Sequence, residues 1–151
     1  PRNFRDEELF EPLHLFKEAG YEPVIASTVT GPIRGSEGGW SRAEILIGQA
    51  RIKDYAALAF IGGQGASVLH NDLTARALAK KGVESGLIVG AICVAPVILA
   101  RAGLLKGRTA TCYISEKEKL RALGADYKNE PVIVSESIVT GNGPAAASEF
   151  A

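Results

Sequence analysis

The 151 residues predict an α/β fold in which a mostly parallel sheet is covered by helices on both faces. Two observations lead there. Residues 56–61 and 87–92 are apolar without alternation, as strands buried on both faces are. Each run is followed by a segment with helical apolar spacing that closes on glycine, and strands alternating with helices build parallel sheets. The length suits a single domain, since domains run to ~100–200 residues.

In chain order, Asn3 is placed to cap a helix whose first turn carries Asp6 and Glu7 and whose apolar positions are Leu9, Leu13, Phe16 and Ala19, before Gly20. Pro12 either kinks that helix or marks where its regular part begins. Residues 23–27 read as a buried strand. Residues 31–40 are glycine-rich and irregular, and 43–47 read as a short edge strand. The run at 56–61 is a strand ending at Gly62-Gly63. Asn71 then caps a helix through Lys81, with Leu73, Ala77 and Leu78 inward and Gly82 as its stop. Residues 87–92 form the next strand and 94–102 the next helix, with Pro96 in its first turn, where no amide donor is missed. Residues 108–113 read as a strand, and Ser115 with Glu118 has the spacing of a capping box for a helix ending at Gly124. Residues 132–134 and 138–140 are two strands joined by a short turn, and Gly141-Asn142-Gly143-Pro144 opens a last helix. The chain starts on a helix cap and stops about two turns into a helix, so a domain trimmed at both ends is expected.

Composition narrows the partners. Lys plus Arg and Asp plus Glu both number 17, so the formal charge is zero, and no basic surplus exists to neutralise nucleic acid or an anionic membrane. The most apolar stretch, 87–102, is broken by Gly90 and Pro96 and is shorter than the ~20 residues of a membrane helix. Two cysteines, Cys93 and Cys112, are too few for a disulfide scaffold or a four-cysteine zinc site and point to a reducing cytoplasm. No histidine pair has zinc-ligand spacing, no Walker loop follows the glycines, and no dinucleotide fingerprint is present, so neither a metal nor a cofactor is expected.

Ligands of open parallel sheets bind beyond the carboxyl ends of the strands, and two such junctions stand out. Gly62-Gly63-Gln64-Gly65 is either a tight strand-to-helix turn or a loop whose backbone comes close to a ligand. Cys93 lies between a strand and a helix amino terminus, where unpaired amides and the dipole favour a thiolate; it is either a nucleophile or a buried core thiol. Cys112, inside a strand, reads as core. His14 and His70 read as surface or packing residues, because neither lies at a strand's carboxyl end. Glu7, Glu8 and Glu11 cluster on the first helix as a solvated face, except that Glu8 borders the apolar stripe and could turn toward the cysteine sulfur.

In order along nearly the whole chain, Phe4-Arg5-Asp6-Glu7-Glu8-Leu9, Pro12, Ala26-Ser27, Ile61-Gly62-Gly63, Ala91-Ile92-Cys93-Val94-Ala95-Pro96, Leu104-Leu105-Lys106-Gly107 and Gly143-Pro144 resemble the PfpI superfamily, which also holds the parkinsonism-associated deglycase DJ-one. The resemblance implies a flavodoxin-like three-layer sandwich lacking its first strand here, an elbow cysteine at Cys93, its acidic partner at Glu8, and an oxyanion site from the amides of Gly63 and Val94. Gly62, Tyr113 and Asn142 would line the pocket. Three departures follow from the same comparison: Val94 stands where protease-like members carry histidine, Tyr113 where deglycase relatives carry another, and Asn142 where some carry arginine. The implied activity is a cysteine-dependent attack on a small electrophilic carbonyl or acyl substrate, of glyoxalase, deglycase or hydrolase type, in a homodimer. A redox-sensing or chaperone-like stress protein with an oxidisable cysteine is the alternative. A glutamine amidotransferase ranks last, because no histidine follows His70.

Overall fold

The computed structural model describes residues 1–151. Helix α1 (Asp6–Glu18) carries Asp6, Glu7 and Glu8 in its first turn, where carboxylates complement the helix dipole. Its N-cap is Arg5 rather than Asn3. Asn3 adopts a left-handed φ of 59° and is committed through its backbone, donating to the Arg34 carbonyl (2.8 Å) and accepting from the Gly65 amide (3.1 Å). Pro12 lies inside α1, buried, and deprives the Glu8 carbonyl of its usual helical donor.

Strand β1 (Ala26–Ser27) is shorter than the apolar run that predicts it. The glycine-rich segment is not irregular: β2 (Gly31–Arg34) and β3 (Trp40–Ala43) form an antiparallel hairpin, and β4 (Ile45–Leu46) then pairs in parallel with β1. The expected edge strand at 43–47 is thus divided between β3 and β4. Strand β5 (Ala57–Phe60) runs through a 3-10 turn, Gln64–Asn71, into α2 (Leu73–Glu84). Strand β6 (Ile88–Ile92) leads to α3 (Pro96–Arg101), and β7 (Thr109–Ala110) to α4 (Lys117–Ala122). Strand β8 (Asp126–Tyr127) pairs in parallel with β7, β9 (Val132–Ser135) and β10 (Ile138–Gly141) form an antiparallel hairpin, and α5 (Ala147–Phe150) closes the chain.

The central sheet has the order β5-β6-β10-β9, with β5, β6 and β10 parallel. Alternate residues of β6 face opposite layers. Val89 and Ala91 join the main core with Ile98 and Leu99 of α3, whereas a Cβ at Gly90 would meet the Phe150 ring of α5 at 2.7 Å. Helices α2, α3 and α4 pack in series and α1 packs on α5, which gives a flavodoxin-like sandwich of three layers. Ile98 and Leu99 are fully buried, each a stabilisation of about 1.5–3 kcal/mol relative to exposure. No helix is long and apolar enough to cross a membrane.

Further helix boundaries differ from the sequence expectation. Asp72, not Asn71, caps α2, its Oδ1 accepting from the Ala75 amide at 2.7 Å. Gly82 does not end that helix; it belongs, with Ala75 and Ala79, to the buried face, and the chain turns at Gly86 with φ of 78°. Small residues form this face because α2 lies close on the sheet: a Cβ at Gly82 would sit 2.8 Å from Leu58 Cδ1, so Leu73 and Ala77 point outward instead. The Ser115 and Glu118 capping box is absent, since Glu116 is the N-cap of α4 and Ser115 bonds the Glu116 carboxylate. The strand expected at 108–113 stops at Ala110 because the Thr111 amide turns to Thr140 Oγ1 at 3.0 Å.

Candidate active site

Strand β6 ends at Ile92, and Cys93 follows with φ of 64°, a left-handed conformation that costs a non-glycine residue roughly 1–2 kcal/mol. Three hydrogen bonds hold it there. The Cys93 amide donates to the Gly141 carbonyl at the end of β10 (2.9 Å), its carbonyl accepts from the Tyr113 amide (2.8 Å), and the Ala95 amide closes the turn onto Ile92 (3.1 Å). Cys93, 7% exposed, therefore stands at the carboxyl edge of the central sheet, between the chain ends of two parallel strands.

Glu8 reaches this place from the first turn of α1. It is fully buried; Oε2 accepts from the Gly62 amide at 3.0 Å, Oε1 has no hydrogen-bond partner, and the Cys93 thiol lies beside the carboxyl. Gly62 separates the two groups. A Cβ there would lie 2.6 Å from both Cys93 Cβ and Glu8 Oε2, so only glycine lets the carboxyl and the thiol approach. Gly63, with φ of 95°, presses its backbone against Phe4 and Arg5 and so fixes the loop to the start of α1.

The electrostatics depart from the sequence expectation. Burial pushes the Glu8 carboxyl up to about 7, against smaller opposing effects of Cys93, the Gly62 amide and Arg5. Burial, and then the charge of Glu8, push the Cys93 thiol up to about 12, while the amides of Gly63 and Val94 act in the lowering sense. Burial thus acts against the thiolate that a helix amino terminus was expected to favour, and α3 begins only at Pro96 and has six residues. Burial also pushes Cys112 up to about 12, so acidity does not distinguish the cysteines. Position does, because Cys112 is 1% exposed inside the main core and Cys93 adjoins Glu8 and two amides. Buried side by side, Glu8 and Cys93 favour carrying one negative charge between them.

Tyr113 and Asn142 flank the cysteine through the backbone. Tyr113 packs its ring against Gly143, and Asn142 follows the Gly141 carbonyl that holds the Cys93 amide; neither side chain hydrogen-bonds the thiol. His14 is exposed beside Glu18, as the sequence suggests. His70 is a packing histidine rather than a surface one, and its surroundings were not foreseen: buried, it shares a 2.9 Å hydrogen bond between Nε2 and the Val94 carbonyl, one residue beyond the cysteine. A carbonyl can only accept, so Nε2 carries the proton, and desolvation lowers the imidazole pKa. Asp6 was also missed. It accepts from the amides of Glu37 (2.9 Å) and Gly39 (2.6 Å), tying the β2–β3 turn to the helix that delivers Glu8. The glycines at 35 and 39 are its only trace in the sequence, since a Cβ at either would strike the Asp6 carboxylate. No group of three or more His, Cys, Asp or Glu side chains converges to hold a metal ion.

The model of the DJ-1/PfpI family matches residues 1–151. An uncharacterized protein of Methanocaldococcus jannaschii is 37% identical over 99% of this chain and 75% of its own length. A deglycase of Thermococcus kodakarensis is 33% identical over 93% of this chain and 85% of its own. A glutathione-independent glyoxalase of Caenorhabditis elegans is 27% identical over 100% and 81%. Among solved structures, a ThiJ/PfpI domain protein from Brachyspira murdochii superposes with a TM-score of 0.96 at 34% identity, over 99% of this chain and 86% of that one.

Proposed function

This chain belongs to the DJ-1/PfpI family, and on that premise we propose that it is a cysteine-dependent enzyme acting on small electrophilic carbonyl or acyl compounds, with Cys93 as nucleophile and Glu8 as its acid–base partner. The observation that carries the proposal is the buried Glu8 carboxyl set beside a strained cysteine across Gly62. A carboxyl held up to about 7 exchanges a proton near neutrality, which suits a general acid–base group.

In the first step ionised Glu8 takes the thiol proton as Cys93 Sγ bonds to the carbonyl carbon. The carbonyl π electrons move to oxygen, where the amides of Gly63 and Val94 would meet the developing charge. Glu8 then returns its proton to that oxygen, and the product of the step is a hemithioacetal. Deglycase and glyoxalase are the names borne by relatives, and both chemistries act on a reactive carbonyl. A redox-sensing role would use the same sulfur, and an oxidisable thiol is favoured by acidity, which burial of Cys93 opposes.

The test is methylglyoxal turnover by the unaltered protein, Cys93→Ser and Cys112→Ser. Cys93→Ser is expected to fall to background and Cys112→Ser to retain activity. Equal turnover by the unaltered protein and Cys93→Ser would remove Cys93 from the chemistry.

A further inference from the structure

A cavity of about 430 Å³ lies away from the thiol, between the start of the chain and the β2–β3 hairpin, lined by Arg2, Asn3, Pro32, Arg34 and Trp40. None of the five is acidic. Neither Arg2 nor Arg34 makes a side-chain hydrogen bond or an ion pair, whereas Arg5 close by is held between Glu7 and Glu37. Trp40 is 64% exposed, with the Arg34 guanidinium 5.9 Å from its ring centre. The frame around these side chains is fixed. Asn3 donates its amide to Arg34, Phe4 bridges to Gly35, and Arg34 and Trp40 face each other across the hairpin.

We propose that this cavity binds a small phosphate monoester that also carries a planar aromatic ring. Two unpaired guanidiniums supply charge and forked donors for a dianionic phosphate, and a largely exposed indole supplies a face for a planar ring. Asn3 offers a further polar group at the wall. The proposal does not depend on turnover at Cys93, and its test does not use activity.

Trp40 is the sole tryptophan, so its emission reports on this cavity alone. Adenosine monophosphate is titrated into the full chain, with adenosine and inorganic phosphate as separate arms and calorimetry as a second readout. A saturable emission change and heat with the monophosphate are expected, weakened by salt, with each half-molecule binding at least tenfold more weakly. Arg2→Gln and Arg34→Gln should each weaken binding by roughly 10–100-fold, the range for losing a hydrogen bond to a charged group. Both side chains are exposed, and an unchanged circular dichroism spectrum checks that the variants fold. No saturable heat, binding by both arginine variants as tight as that of the unaltered protein, or emission that shifts with protein concentration before any ligand is added would each overturn the proposal. The last would show that a second copy covers the indole.

Discussion

Replacing Glu8 by glutamine should make the protein more stable at alkaline pH and leave it nearly unchanged in acid. The folded state raises the Glu8 carboxyl from 4.5 to about 7, chiefly through burial. Between those values the folded chain holds a proton that the unfolded chain releases, so stability falls as pH rises. At about 1.4 kcal/mol for each pH unit, the full loss is roughly 3.4 kcal/mol, of which about 2.5 kcal/mol falls between pH 5 and pH 8. Glutamine cannot ionise, and its carbonyl can still accept from the Gly62 amide that now bonds Oε2. Urea unfolding of both proteins at pH 5 and pH 8 measures the effect. Relative to the unaltered chain, Glu8→Gln should gain about 2.5 kcal/mol on going from the lower to the higher pH. A difference between the two proteins that is the same at both pH values would refute the assignment of a buried, proton-holding carboxyl, whatever happens to turnover.

Gly62→Ala should lower stability by about 1–3 kcal/mol, as overpacking does, and abolish methylglyoxal turnover; a stable, active variant would show that the thiol and carboxyl are not in contact across this residue. Cys93→Gly should be more stable than Cys93→Ala by roughly 1 kcal/mol, because glycine relieves the left-handed backbone that alanine preserves. Denaturation midpoints in the opposite order would mean that the backbone relaxes in solution.

The strands buried on both faces were legible because nothing but apolar runs can occupy such a place, and residues 56–61 and 87–92 fall on β5 and β6 within one residue at each end. The short pairings were not. Strands β7 and β8 contribute two residues each, too few for any periodicity, and their ladder depends on partners 17 positions apart, Thr109 with Asp126. The hairpin of β2 and β3 was hidden by its glycines, which usually mark irregular chain but here make room for Asp6. At the site, the junction after an apolar strand marked Cys93 and the border of the apolar stripe marked Glu8, but each kept a structural alternative until the resemblance assigned the pair their roles. The burial that governs both pKa values comes from elements distant in sequence. His70 escaped because the 3-10 turn folds back onto α3, a tertiary contact with no local sign.

The same burial raises a difficulty that the proposed chemistry has to meet. A thiol pushed up to about 12 is almost wholly protonated at neutral pH, and a protonated thiol is a poor nucleophile. Part of that rise, however, comes from the Glu8 charge itself, and that part vanishes when the proton crosses from sulfur to carboxyl. The protonated carboxyl then becomes a donor toward the thiolate. Its partner amides at Gly63 and Val94 favour negative charge in the same place. In the proposed mechanism proton transfer and attack are therefore coupled: it needs neither a resting thiolate nor a basic histidine, and a carboxyl poised near 7 would take the part of the histidine that Val94 cannot play. The backbone supports the same economy of motion, since the strained φ of Cys93 is fixed by Gly141 and Tyr113 before any substrate arrives, and the sulfur need not move to reach the donors.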